Sequence, residues 1–326
     1  MQIQIKSLEV KNCGPLRDVN IDFTTNGVPR PVTIIGGANG SGKTTILELV
    51  CALAHFALHE YVLLEHIDED LMPPEMHILR RTKAAQMSLL IDGDNFNISW
   101  PGKSEQTPIN SNKVKRFLET LNQQVTLELL TSFSSDELVS NQSLDLPSIL
   151  YFPHYRRLTS IVGRQINREE VSYKWVYRYE IVSSFAGSLD SYLVWLDYAH
   201  PKEFNQIKKF LNQTVLVGKL IDKVDRPELT TMVKISNGRR HRLDELSSGE
   251  QNLLIIMLEL RRRLLPGSIV LIDEIENSLH PAFQHRLAEA LLKLQKQIPF
   301  QLIVTTHAPS FLDAFGAEST LLLTEF

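Results

Sequence analysis

Residues 32–48 read VTIIGGANGSGKTTILE: an apolar run, a glycine-rich turn that closes on Gly42-Lys43-Thr44, then a helix-like run. Gly37-Ala38-Asn39-Gly40-Ser41-Gly42-Lys43-Thr44 fits the pattern GxxxxGK[ST], and it lies after a strand and opens a helix, where that pattern must lie. Glycines let the backbone curl until several N–H groups face an anion, and the helix N-terminus adds a favourable dipole. Lys43 supplies a point charge toward β and γ phosphate oxygens, Thr44 a hydroxyl able to ligate Mg²⁺, and Thr45 follows in the first turn. A purely structural glycine turn would not require the Lys-Thr pair at this place. The stretch reads as a phosphate cradle, so the remaining question is what the chain does with a nucleotide.

The rest of the chain bounds the answer. With 326 residues and 43% hydrophobic content it can bury a large core as one elaborated domain, and a globular α/β protein is expected. A net charge of -4 gives no global electrostatic footprint for nucleic acid. The two cysteines, Cys13 and Cys51, lack CxxC spacing and suit a reducing, cytoplasmic setting. No leader is read at the start, and no stretch is read as approaching the roughly 20 apolar residues of a membrane span, so no membrane partner is expected. IKSLEV, DVNIDF and PVTIIG read as strands, Met87–Trp100 as a hairpin around Gly93, and Val233–Leu243 as another around Asn237-Gly238. Between these hairpins the pattern is mixed, with an apolar run at Ser148–Pro153 and helical patterns near Ser188–His200 and Glu203–Asn212. The last ninety or so residues alternate helix and strand, which argues a parallel sheet with covering helices.

Three further stretches carry chemistry. In SIVLIDEIENSLHP a β-branched strand, Ile269 to Ile272, delivers Asp273 and Glu274 to its carboxyl end, where ligands bind in an open α/β sheet. Asp273 is placed to hold a metal shell and Glu274 to orient or deprotonate an attacking water. In ELSSGEQNLLIIMLELRRR the apolar positions Leu253, Leu254, Ile256, Met257 and Leu260 describe a helix capped by Ser247-Ser248-Gly249, with Glu250 and Gln251 in its first turn. An N-cap is the plain reading, yet such a terminus is also an anion site. In LIVTTHAPSFLDA a strand ends in Thr305-Thr306 and His307 follows, within reach of a γ-phosphate if it shares the sheet of Glu274. His55 and His59 are spaced i, i+4 without the remainder of a metalloprotease motif. Arg261-Arg262-Arg263 reads first as a solvated helix end and second as a DNA or partner contact, and Arg239–Arg242 reads the same way.

In this order the four motifs resemble the ATP-binding-cassette ATPase head of the SMC, RecF and double-strand-break-repair ATPases, above all its stand-alone OLD-like branch and the bacterial "AAA family" proteins of defence systems. Gly37 to Thr44 resembles the Walker A loop and Leu246 to Gln251 the signature, with Ser248 where many signatures have glycine. Ile269 to Glu274 resembles Walker B, Glu276 to Pro281 the D-loop, and His307 the switch histidine. The resemblance is firm over residues 1–60 and 230–326 and loose between. It implies an ABC-ATPase head made of an N-terminal antiparallel β subdomain, a mostly parallel core sheet flanked by helices, and a helical insertion. It divides one domain, 1–326, into an N-lobe (1–60), a β/helical insertion region (61–230) and a C-lobe (231–326). ATP and Mg²⁺ are the implied cofactors, with Thr44 and Asp273 on the metal and Lys43, Glu274 and His307 in catalysis. Gly37, Asn39, Gly40, Ser41, Gly42, Lys43, Thr44 and Thr45 line the implied nucleotide site. Ser247, Ser248, Gly249 and Glu250 of one head would meet the ATP held by another, so a homodimer forms on ATP binding.

One departure stands out. The family's Q-loop glutamine should follow SILYF, but Pro153-His154-Tyr155-Arg156-Arg157 stands there. His154 or Arg156 takes the role, or it is unfilled, and Gln165 lies a little downstream. The leading functional expectation is an ATPase switch that controls a separate nuclease or toxin in anti-phage defence, because about nineteen residues follow His307 and leave no room for a Toprim nuclease. A RecF-like clamp on DNA is the second reading and would want a basic surface. A transporter subunit is third, disfavoured by the roughly two hundred residues between Lys43 and Ser247.

Overall fold

The opening hairpin shows how side-chain alternation becomes a sheet. In β1 (Ile3–Cys13) and β2 (Leu16–Asp22) alternate residues turn inward, and the antiparallel register pairs Leu8 with Ile21 and Val10 with Val19. A two-stranded ribbon, β3 (Thr24–Thr25) with β4 (Val28–Pro29), leads into β5 (Val32–Gly37), the glycine loop and α1 (Lys43–Leu58). The hairpin β6 (Thr82–Ile91) and β7 (Asp94–Trp100) then joins β1, completing an antiparallel sheet ordered β2-β1-β6-β7. The expected hairpin is present, and it turns at Asp92-Gly93. The structure, a computed structural model, describes residues 1–63, 74–102, 109–133, 146–159, 165–169, 171–182 and 187–323.

The middle of the chain adds α2 (Asn112–Phe133), β8 (Ile149–Phe152), β9 (Val176–Arg178), α3 (Leu189–Ala199) and α4 (Pro201–Thr214). A small antiparallel sheet follows, β10 (Lys219–Asp225), β11 (Thr230–Ile235) and β12 (Arg240–Arg242). The C-terminal alternation is α5 (Ser248–Arg263), β13 (Ile269–Ile272), α6 (Pro281–Gln297), β14 (Gln301–Thr306), α7 (Pro309–Phe315) and β15 (Thr320–Leu323).

The central sheet has six strands in the order β15-β5-β14-β13-β8-β9, every neighbouring pair parallel. Its inner strands are buried along their whole length because both faces are covered. Period-two alternation sorts them between two cores. Ile35, Ile149, Tyr151, Ile269, Leu271 and Ile303 join α1, α2 and the antiparallel sheet on one side. Ile34, Leu150, Phe152, Val270, Ile272, Leu302 and Val304 join α3 to α7 on the other.

One expectation changes. One helical stretch, Lys43–Val62, is long and apolar enough by composition to cross a membrane. It is apolar nearly all round because it lies in the core shared by two sheets, where it has no wet face to make polar. The middle region contributes to both sheets, since β6 and β7 complete the N-terminal sheet while β8 and β9 complete the central one.

Candidate functional site

The site forms where the central strands end. β5, β14 and β13 are neighbours, and the residues just past their carboxyl ends are the glycine loop, Thr305-Thr306-His307 and Asp273-Glu274. Asp273 is fully buried. Its Oδ2 accepts the Thr44 hydroxyl at 2.8 Å and its Oδ1 the Thr305 hydroxyl at 2.6 Å. The Thr305 oxygen in turn accepts the Glu274 N–H at 2.7 Å. Helix α1, the strand of Asp273 and the strand before His307 are thus joined by three short bonds.

The loop that precedes α1 is built as a cradle. Gly42 caps the helix in a left-handed conformation (φ +96°) with no side-chain bond to the first-turn N–H groups, which leaves them open to an anion. A Cβ there would stand 2.5 Å from Leu16 Cδ2. Ala38, Asn39 and Gly40 form the exposed crown, and the buried Ser41 Oγ has no protein partner, as expected where a phosphate oxygen belongs. Lys43 Nζ donates to the Gly37 and Ala38 carbonyls at 2.9 and 2.8 Å. Burial lowers its pKa, opposed by the carboxylates of Glu274, Asp273 and Glu276. These residues fit a nucleotide with Mg²⁺: Thr44 and Asp273 would hold the ion, which neutralises phosphate charge when bound.

The helix α5 begins as its sequence predicts. Ser247 is the N-cap, and Glu250 returns the bond in a capping box, its Oε2 accepting Ser247 N and Oγ at 3.0 and 2.7 Å. Lys219 from β10 adds a third donor to that oxygen at 2.7 Å. Burial alone would raise the Glu250 carboxyl; the Lys219 and Ser247 donors bring it below its ordinary value. Ser247 and Ser248 are exposed while Gly249 is buried against the D-loop, where a Cβ would lie 2.7 Å from the Ser278 carbonyl.

The three residues proposed for the Q-loop position separate cleanly. His154 is half exposed, with Nδ1 3.5 Å from Asp273 Oδ2. Arg156 turns inward and is buried beneath Asp273 and Glu274. Gln165 is exposed and bonds Asn167 at 3.3 Å. Only His154 of the three faces the Asp273 carboxylate. His307 has an exposed side chain, and its backbone N–H is anchored by Glu276, a role that sequence reasoning did not assign. The pairing of ENSLHP with TTHAP was the available signal, since both follow strands of one sheet.

The arginine run at the end of α5 is not a solvated end. Arg262 and Arg263 each bond Glu259 at 2.8 Å and lie 4.1 and 4.0 Å over the Tyr192 and Tyr177 rings; only Arg261 is exposed. Those rings belong to two aromatic-rich stretches, Tyr173–Glu180 and Asp190–His200, in which Trp175, Tyr177, Tyr179 and Tyr192 are buried. Among the described residues no group of three His, Cys, Asp or Glu side chains could hold a metal by itself.

An open phosphate loop, a buried Walker B aspartate with its glutamate, a capped signature helix and a histidine after the next strand together define an SMC/ABC-like ATPase head. The chain belongs to the AAA-domain family described as "AAA domain, putative AbiEii toxin, Type IV TA system", which matches residues 109–313, and a second AAA-domain description matches residues 7–175. It is similar to the Retron Vc95 probable ATPase of Vibrio cholerae serotype O1 biovar El Tor, with 24% identity over 94% of this chain and 71% of that one. It is also similar to the Septu protein PtuA of Bacillus mycoides (strain KBAB4), with 22% identity over 94% of this chain but 38% of that protein. A solved SMC head bound to the C-terminal winged-helix domain of ScpA shares 15% identity over 95% of this chain and 92% of its own, with a TM-score of 0.48.

Proposed function

We propose that the chain is a cytoplasmic ATP-driven switch subunit that closes head to head with a second copy around two ATP molecules and thereby controls a separate effector protein in a defence system. In this reading the phosphate loop, Lys43 and Thr44 hold the nucleotide, Glu274 prepares water for attack on the γ-phosphate, and His307 contacts the same group. Ser247 of one copy meets the ATP of the other, which accounts for two anion-binding helix termini in one chain. Hydrolysis then reopens the pair, changing how residues 61–230 are presented to the effector. Relatives named for retron and Septu systems support the defence setting.

One observation supports the chemistry: the Thr44–Asp273–Thr305–Glu274 chain of bonds, which ties the backbone of Glu274 to the first turn of the helix after the phosphate loop. Glu274→Gln keeps shape and hydrogen bonding but removes the base. Its ATP affinity should stay within about twofold of wild type while kcat falls about a hundredfold or more. Turnover near wild type in that variant would take Glu274 out of the role.

A further inference from the structure

Arg156 is a buried cation that touches no carboxylate. Its Nε donates to Asn252 Oδ1 at 2.7 Å, and Nη1 donates to the carbonyls of Phe152, Pro153 and Asp273 at 3.1, 2.5 and 2.7 Å. Nη2 donates to the Glu274 carbonyl at 3.0 Å. Every acceptor is neutral, and burial lowers the guanidinium to about 10 against the opposing field of Asp273, Tyr151, Glu274 and Glu276. Burying a cation costs desolvation, which is offset here by five hydrogen bonds that an apolar residue would leave unmade. What Arg156 does therefore follows from the groups it holds.

It holds two things that belong to different ATP molecules. The first is the backbone of Glu274, which sits at φ +43°, a left-handed conformation unfavourable for a residue with a side chain. Arg156 grips the carbonyl on one side of that residue and Thr305 the N–H on the other. The second is α5, whose N-terminus carries Ser247. Asn252, which receives the Arg156 Nε, lies five positions on in the same rigid helix. Asn252 Nδ2 donates to the Asn277 carbonyl at 2.7 Å, and Asn277 Nδ2 to the His154 carbonyl at 2.6 Å, closing a ring through the D-loop. Gln251 adds a parallel tie by accepting the Leu158 N–H at 3.0 Å. Gly249 packs so closely against the Ser278 carbonyl that a Cβ there would lie 2.7 Å from it, which brings the first turn of α5 against the D-loop.

We propose that Arg156 is a positioning residue that couples the two ATP sites of the closed pair: it ties the Glu274 backbone, which serves a head's own ATP, to the signature helix that the same head offers to its partner's ATP. The inference rests on the head-to-head reading above. A shift of α5 when Ser247 engages the partner's phosphate is passed through Asn252 and the guanidinium to the Glu274 carbonyl, so each site hydrolyses in step with the other.

Asn252→Ala cuts the link to α5 and leaves the Arg156 contacts with residues 273 and 274 in place. Arg156→Lys keeps the charge but loses the fork that spans the acceptors. Both should bind a fluorescent ATP analogue as wild type does and still dimerise on a slowly hydrolysed analogue. Both should lower kcat about tenfold and bring the Hill coefficient for ATP hydrolysis down toward 1. A merely structural role would lower the melting temperature and leave kcat per folded molecule and the Hill coefficient unchanged, and that result overturns the proposal. A wild-type chain that dimerises on ATP but shows a Hill coefficient of 1 overturns it as well. Wild type that hydrolyses ATP only as a monomer sinks the switch reading and the coupling together, so the two failures are distinguishable.

Discussion

Gly42 shows how one missing side chain opens the phosphate loop. Its φ of +96° and the Leu16 side chain 2.5 Å from any Cβ are independent penalties, whereas Gly40 has a positive φ (+81°) but open space around it. Gly42→Ala must therefore strain the backbone and also push Leu16 out of the core beneath β1 and β2. We expect it to lower stability by about 2–4 kcal/mol and to weaken ATP binding about tenfold or more. Gly40→Ala should lose about 1–2 kcal/mol, from the backbone alone. Thermal denaturation and nucleotide titration of both variants test this, and equal behaviour would mean that the Leu16 contact plays no part. These glycines were legible in sequence because the motif fixes them. Arg156 was legible only as one of three candidates for the Q-loop role, since sequence does not say whether a side chain turns toward the nucleotide or under the strand.

At the scale of elements, the helix α5 tests whether an N-cap is also a binding site. Ser247→Ala removes the capping oxygen and should lower stability by about 1 kcal/mol while leaving the helix in place. Ser247→Arg puts a bulky cation at an exposed terminus beside Lys219, so each monomer should still bind nucleotide while closure of two heads fails. Sedimentation with a slowly hydrolysed ATP analogue reads the difference. A dimer that survives Ser247→Arg would reduce Ser247 to a cap. The motif-bearing elements were readable because caps, β-branched runs and turn glycines coincide there. The helix α2 was not read from sequence although Val114, Phe117, Leu118 and Leu121 are buried at i, i+3, i+4 and i+7, because polar residues surround that narrow apolar stripe on every other face. The strand β9 was missed for a different reason. It has three residues inside an aromatic run, and its strand character comes from pairing with β8 at the edge of the sheet rather than from alternation. No local pattern specifies that β8, from the middle of the chain, lies beside β13.

For the whole molecule the question is whether the output is chemical or mechanical. The head and a candidate ATP site are legible in the motifs; the disposition of charge is legible only in three dimensions. Several basic side chains that could have made a nucleic-acid stripe are engaged within the fold: Arg240 with Asp222 at 2.6 Å, Arg242 with Asp244 at 3.0 Å, and Arg262 and Arg263 with Glu259. A phosphate backbone would have to compete with those carboxylates, which weakens the case for a DNA clamp relative to a protein-controlling switch. Asp273 and Glu274, the carboxylates placed for a metal-assisted reaction, sit in the proposed ATP site beside Thr44 and Lys43. The purified chain should therefore hydrolyse ATP slowly and leave both single- and double-stranded DNA and RNA intact with Mg²⁺ or Mn²⁺ present. Nuclease activity that copurifies with the chain and persists in Glu274→Gln would require a catalytic centre away from the ATP site and would replace mechanical control of an effector with direct cleavage.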